Sequence, residues 1–178
     1  MLLTMSKQQQ QQQQQQPLTE LLPINQLNIN HSIARKIIGS YAATFNELAT
    51  VYELIPEFSK DDATLNEAKF IADMGALMRF DTDPLGLSTQ GENEESQMIK
   101  IELQLKTFIT CFNQLDQLQR IIIYYSYFKN ESAVKIVQLR LNEKQTYSVR
   151  TFYRKNNEAS ILLVKKLKWH KVKKLMTL

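Results

Sequence analysis

From His31 onward, apolar side chains recur at alternating three- and four-residue steps: Ala34, Ile37, Tyr41, Phe45, Leu48, Tyr52 and Ile55. This spacing puts them on one face of a long amphipathic helix, and Pro56 is expected to stop it, since proline interrupts helical hydrogen bonding. A second helix is expected to begin after Ser59 or Asp61, with Asp61, Asp62 and Glu67 near the positive end of its dipole. It carries Leu65, Ala68, Ile71, Met74 and Met78 and ends near Arg79. A third follows with Met98, Ile101, Leu105, Phe108, Phe112 and Leu115 in strict three-four alternation. Such a seam packs lengthwise against another helix, either the first helix of the same chain or a second copy in a homodimer.

Asp116 to Phe128 contains the run Ile121-Ile122-Ile123-Tyr124-Tyr125, whose β-branched and aromatic content suits a buried strand. No second run of this kind exists for it to pair with, so we read it as helix. Ser132 then stands directly before Ala133, Ile136, Val137 and Leu141, which share one helical face and leave Lys135 and Gln138 pointing outward. Ser148 stands in the same way before Phe152, Ala159 and Leu163. Two helices in succession, each opened by a capping serine, read as a helix-turn-helix. Arg150, Thr151, Arg154 and Asn157 are then left on the outer face near the start of the second helix. There, backbone N–H groups favour phosphate and side chains reach base edges.

The residues Leu118, Ile121 and Ile122, the run Tyr127 to Val137, and Ser148-x-x-Thr151-Phe152-x-Arg154 with Ala159 resemble the last DNA-binding region of sigma-70-type factors. More closely, Tyr147 to Arg154 is similar to the ArpU family of phage-encoded transcriptional regulators. The resemblance is best over Leu115 to Leu167. It implies an all-α chain: a helical bundle with a sigma-like helix-turn-helix at its C-terminus, regulating phage or prophage genes, late genes among them, in a bacterial host cytoplasm. Two departures stand out. The turn from Leu141 to Tyr147 is longer than the usual pattern, and Asn156 lies on an otherwise apolar face, where it needs a hydrogen-bond partner or an exposed position.

Composition sharpens the picture at a few points. Gln8 to Gln16 is unbroken glutamine before Pro17, a polar homopolymer with no apolar face to bury, so residues 1–17 are expected to form a disordered tail. Residues 18–114 are expected to form a helical N-terminal region and 115–178 the DNA-binding region with its basic C-terminal helix. The stretch near 80–95 collects Asp81, Asp83, Glu92, Glu94 and Glu95 among Gly and Pro. It lacks the spacing of a calcium loop and reads as a solvated acidic loop, with no metal and no cofactor expected. The single Cys111 excludes an intrachain disulfide and reads as a buried thiol. Two histidines, no Gly-rich phosphate loop and no nucleophilic constellation argue against an enzyme.

Charge is the one test independent of the resemblance. Residues 1–100 hold seven Lys and Arg against thirteen Asp and Glu, a net of −6, while 101–178 hold fifteen against five, a net of +10. Phosphate neutralisation dominates non-specific DNA affinity, so the basic half is the half that must face a duplex. The acidic half suits a protein partner, such as RNA polymerase. Arg150, Thr151, Tyr153 and Arg154 are the expected groove-reading residues of double-stranded DNA, Lys135, Lys144 and Lys155 the phosphate contacts, and Ser148 the cap. The last stretch interleaves Lys165, Lys166, Lys168, Lys171, Lys173 and Lys174 with Leu162, Leu163, Leu167, Trp169, Val172 and Leu175. It reads as a grip on the DNA backbone, as a membrane-surface helix, or as a solvated face. No run is apolar for long enough to span a membrane. The N-terminal half also lacks the aromatic and basic cluster with which a complete sigma factor stacks single-stranded bases, which favours an accessory regulator. A helical module that docks on RNA polymerase without reading DNA is the alternative.

Overall fold

A computed structural model describes residues 29–78, 94–141 and 147–176, without the side chains of 77–78, 94–98 and 171–176. The polyglutamine stretch and nearly all of the acidic loop lie outside these residues. What is described is all-α. Helix α1 spans His31–Tyr52, α2 Glu67–Met78, α3 Glu94–Asn113, α4 Gln117–Ile123, α5 Ala133–Ile136 and α6 Val149–Met176. Helix α4 runs on into a π-helical turn, Tyr124–Phe128, and α5 into another, Val137–Leu141. The one β-type pairing among the described residues is an isolated bridge between Phe58 and Leu65.

Helix α1 is opened by Asn30, whose side chain accepts from Ile33 N at 2.9 Å. It closes before Pro56: Glu53 turns left-handed at φ 55° and Leu54 N donates back to Leu48 O at 3.2 Å. That closure buries Leu54 and leaves Ile55, expected on the apolar stripe, exposed. The deepest positions of α1 are Ala34, Phe45 and Leu48 of the expected stripe together with Ile38 and Ala42, while Ile37, Tyr41 and Tyr52 pack at its margin.

Helix α2 starts at Glu67, several residues later than expected. Asp61 and Asp62 instead belong to a tight loop, where Asp62 accepts from Thr64 N at 3.2 Å and Thr64 Oγ1 at 2.7 Å. The loop is pinned to the corner between α3 and α4. Asn113 pairs with the Leu65 backbone in both directions, at 2.9 and 2.8 Å. Arg120 donates to Asp62 O at 2.7 Å, to Asn113 O at 3.1 Å and to Leu115 O. A guanidinium thus serves carbonyls that the end of α3 leaves without intrahelical partners.

The core is aromatic. Phe45 of α1 meets Phe70 of α2, Phe108 of α3 and Phe128 at the end of α4, with ring centroids 5.3, 5.6 and 5.4 Å apart. The seam of α3 is therefore used within the chain: Leu105, Phe108 and Phe112, joined by Ile109 and Cys111, face α2 and α6. Ala159, Leu163, Val164 and Leu167 of α6 enter the same cluster, so the C-terminal region packs on the core of the N-terminal one.

Truncating Phe45 to alanine is expected to cost about 3–5 kcal/mol, since the ring touches three helices and the cavity cannot collapse from any one side; urea denaturation measures it. Hydrogen bonds from Ser59 and then Thr64 hold the exposed Asp62 carboxyl at about 2, below its ordinary 3.8. A depressed folded-state pKa contributes stability above the ordinary value that is lost as pH falls through the folded one. NMR titration of Asp62 should give a midpoint near 2, moving toward the ordinary value in Thr64→Ala.

Candidate nucleic-acid interface

A second, smaller apolar cluster holds the start of α6. It consists of Ile122, Ile136, Val137, Leu141 and Phe152, with Leu118, Ile121, Tyr125, Ala133 and Tyr147 at its edge. Helix α4 is therefore buried on two sides: Ile123, Tyr124 and Phe128 face the main core and Ile122 faces the small one. Burial on two sides calls for apolar residues at successive positions, which explains why Ile121 to Tyr125 imitates a strand. Asp116 opens it with a capping box, accepting from Gln119 N at 2.8 Å while Gln119 Oε1 accepts from Asp116 N at 3.2 Å. Two residues past the π turn the chain turns left-handed at Asn130, φ 48°, with Glu131 N donating to Tyr125 O at 2.9 Å.

Ser132 caps α5, its Oγ accepting from Lys135 N at 3.3 Å. Ser148 caps α6 in the same way: its Oγ accepts from Thr151 N at 3.1 Å and lies 2.9 Å from Thr151 Oγ1. Thr151 is thereby half-buried and its hydroxyl is engaged locally, so of the expected groove-reading set it is the least free. Arg150, Tyr153 and Arg154 are exposed on the first two turns of α6, Tyr153 at 57% with its ring edge-on to the buried Phe152. Arg154 and Lys155 both reach Glu158, at 3.6 and 3.2 Å. Exposed pairs of this kind are worth little and yield readily to a phosphate.

Lys135 stands on α5, exposed, with its ammonium 3.0 Å from Glu131. Glu131 also meets Arg140 at 3.3 Å, and the Arg140 guanidinium lies over the Tyr125 ring at 4.4 Å. Burial raises the Glu131 pKa, but the hydrogen bonds and charges of Lys135 and Arg140 outweigh it and hold the carboxyl below its ordinary value. Arg140 is not among the site residues expected from the sequence, where its only signal is a cation on the outer side of a short apolar helix. Lys144 lies outside the described residues. The structure thus gathers Ser148, Arg150, Thr151, Tyr153, Arg154 and Lys155 on one helical end and sets Lys135 on the neighbouring element.

Asn156 does have a partner. It is 91% buried, accepts from Ser160 Oγ at 3.3 Å, and so leaves Tyr127 to donate its hydroxyl proton to Ser160 across 3.0 Å. Farther along α6, Leu163, Val164 and Leu167 are in the core and Lys166 reaches Gln114 Oε1 at 3.4 Å. The apolar face of the basic stretch is therefore packed against the core as far as Leu167. No described helix is long and apolar enough to cross a membrane, and the described residues hold no His, Cys, Asp or Glu cluster that could bind a metal ion. Burial pushes the Cys111 thiol up to about 11, which keeps it protonated and inert.

No family model, no curated protein and no solved structure matches this chain. Replacing Ser148 with alanine is expected to cost about 1 kcal/mol, and amide exchange at Thr151 should quicken well before exchange at Leu163.

Proposed function

We propose that the chain is a DNA-binding transcriptional regulator of the ArpU type, in which α5 and α6 act as the helix-turn-helix of a sigma-like reading unit. The observation that carries the reading is the start of α6. Arg150 and Tyr153 are exposed on its outer face and Arg154 is held there only by an exposed ion pair with Glu158, while Phe152 of the same two turns is buried in a cluster shared with α4 and α5. A reading helix needs this combination of a fixed backbone and exposed, weakly held side chains, because base contacts carry sequence information only when their register is rigid. Arg150 and Arg154 are one helical turn apart and suit guanine O6 and N7, and Lys155 and Lys135 suit the flanking phosphates. The +10 charge of residues 101–178 supplies the non-specific attraction. No catalytic role is included in this reading.

A second reading draws on the outer side of α5 and its π turn, where Val134 and Leu139 are 50% and 54% exposed. Apolar side chains on that side suit a protein partner, with RNA polymerase as the candidate.

Fluorescence anisotropy on a pool of labelled duplexes at several salt concentrations separates the two. Groove reading predicts binding that weakens with salt, and Arg150→Ala with Arg154→Ala should lose roughly 1–3 kcal/mol per specific contact. Absence of salt-dependent binding at low ionic strength, or no change in the double variant, leaves the polymerase reading. Under that reading Val134→Ser with Leu139→Ser should abolish co-purification with RNA polymerase core.

A further inference from the structure

A cleft of about 610 Å³ opens where the start of α1 meets the π turn of α4 and the middle of α6. Its walls are His31, Ser32, Arg35, Lys36 and Gly39 from α1, Ser126, Tyr127 and Asn130 from the end of α4, and Asn156 from α6. The lining has two features that decide what fits. It contains the cations Arg35 and Lys36 and no carboxylate, and it contains no aliphatic side chain. A volume in the range of small-molecule sites, roughly 300–1,000 Å³, with this lining selects a polar, negatively charged ligand over an apolar one.

Two of the lining groups also lack partners. His31 Nε2 and Ser126 Oγ are sealed from solvent and have no hydrogen-bond partner. Buried polar atoms without partners are uncommon and call for an explanation. Both residues line the cleft, and a hydroxyl and a neutral imidazole N–H are each able to donate to an oxyanion. His31 is kept neutral by burial and by Arg35, which lower its pKa. Tyr127 is held in place by the Asn156–Ser160 chain, with the Arg35 charge close enough to favour its ionised form. The irregular backbone of the π turn and of left-handed Asn130 is what brings Ser126, Tyr127 and Asn130 to the same opening. Such turns recur at functional sites. The first turn of α1 carries no acidic side chain to oppose an anion, and its dipole adds to the attraction.

We propose that this cleft binds a phosphate group, with Arg35 and Lys36 as its counter-charges and His31, Ser32 and Ser126 as its donors. The group belongs either to a free phosphorylated small molecule or to the DNA backbone, since Asn156 lies just beyond Tyr153 on the same helix. The proposal does not rest on groove reading by α6.

Gly39 offers a test that spares the fold. A Cβ added there meets nothing within 4 Å, so Gly39→Glu brings a carboxylate into the cleft, Gly39→Ala serves as the uncharged control, and Lys36→Gln removes one cation. Circular dichroism verifies that each full-length variant is folded. Calorimetric titration with inorganic pyrophosphate is expected to show binding that is retained in Gly39→Ala and weakened about tenfold or more in Gly39→Glu by like-charge repulsion; this outcome identifies the free phosphate. If pyrophosphate does not bind, the DNA backbone is the source, and the salt slope of duplex binding should become shallower by about one in Lys36→Gln and in Gly39→Glu, the loss of one phosphate contact. Pyrophosphate bound equally by Gly39→Glu and wild type overturns the proposal. So does the absence of pyrophosphate binding together with no effect of either variant on duplex binding.

Discussion

The ring of Phe45 is the contact on which the other helices depend. It lies at the middle of α1 and meets one phenylalanine from each of α2, α3 and α4, so three separate stretches of chain are registered against a single side chain. Tilted ring pairs of this type add directional preference to the non-directional gain from burial. Once Phe108 and Phe128 are seated against Phe45 and against each other, the end of α4 has a fixed position. Everything C-terminal to it inherits that position.

The candidate interface is built on this inheritance. Helix α4 turns one set of residues to the main core and another to the small cluster under α5 and α6. The start of α6 is thus held indirectly by the aromatic core, through a wall only one helix thick. The loop at 57–66, tied by Asn113, Gln117 and Arg120, braces the same wall from the other end. Rigidity at the exposed end of α6 arises from packing beneath it and needs no large core of its own.

Polar groups are arranged with the same economy. Glu131 gathers Lys135 and Arg140 beside the α4–α5 turn, while Tyr127, Ser160 and Asn156 form a buried chain between α4 and α6. A buried amide is costly unless it is bonded. The chain that satisfies Asn156 also forms one wall of the basic cleft, so the departure from a purely apolar face has a structural use.

Much of this was legible locally. Periodicity identifies the described helices as helix, except α4, where the lack of a partner strand decides, and Ser132, Ser148 and Asp116 mark helix starts, because capping and amphipathicity depend on neighbours only a few residues away. The exposed cations of α6 were legible for the same reason. Helix ends that depend on distant groups were not. The loop held by Asn113 and Arg120 delays α2 to Glu67. The two-sided burial of α4, the partner of Asn156, the capture of Thr151 by Ser148, and the gathering of His31, Arg35, Lys36 and Ser126 around one opening were not legible either. What the sequence by itself determined is which segments are helical and which faces are apolar. Which apolar face meets which, and which polar atoms are left facing a shared cleft, only the tertiary structure decided, because those outcomes rest on contacts between residues far apart in the chain.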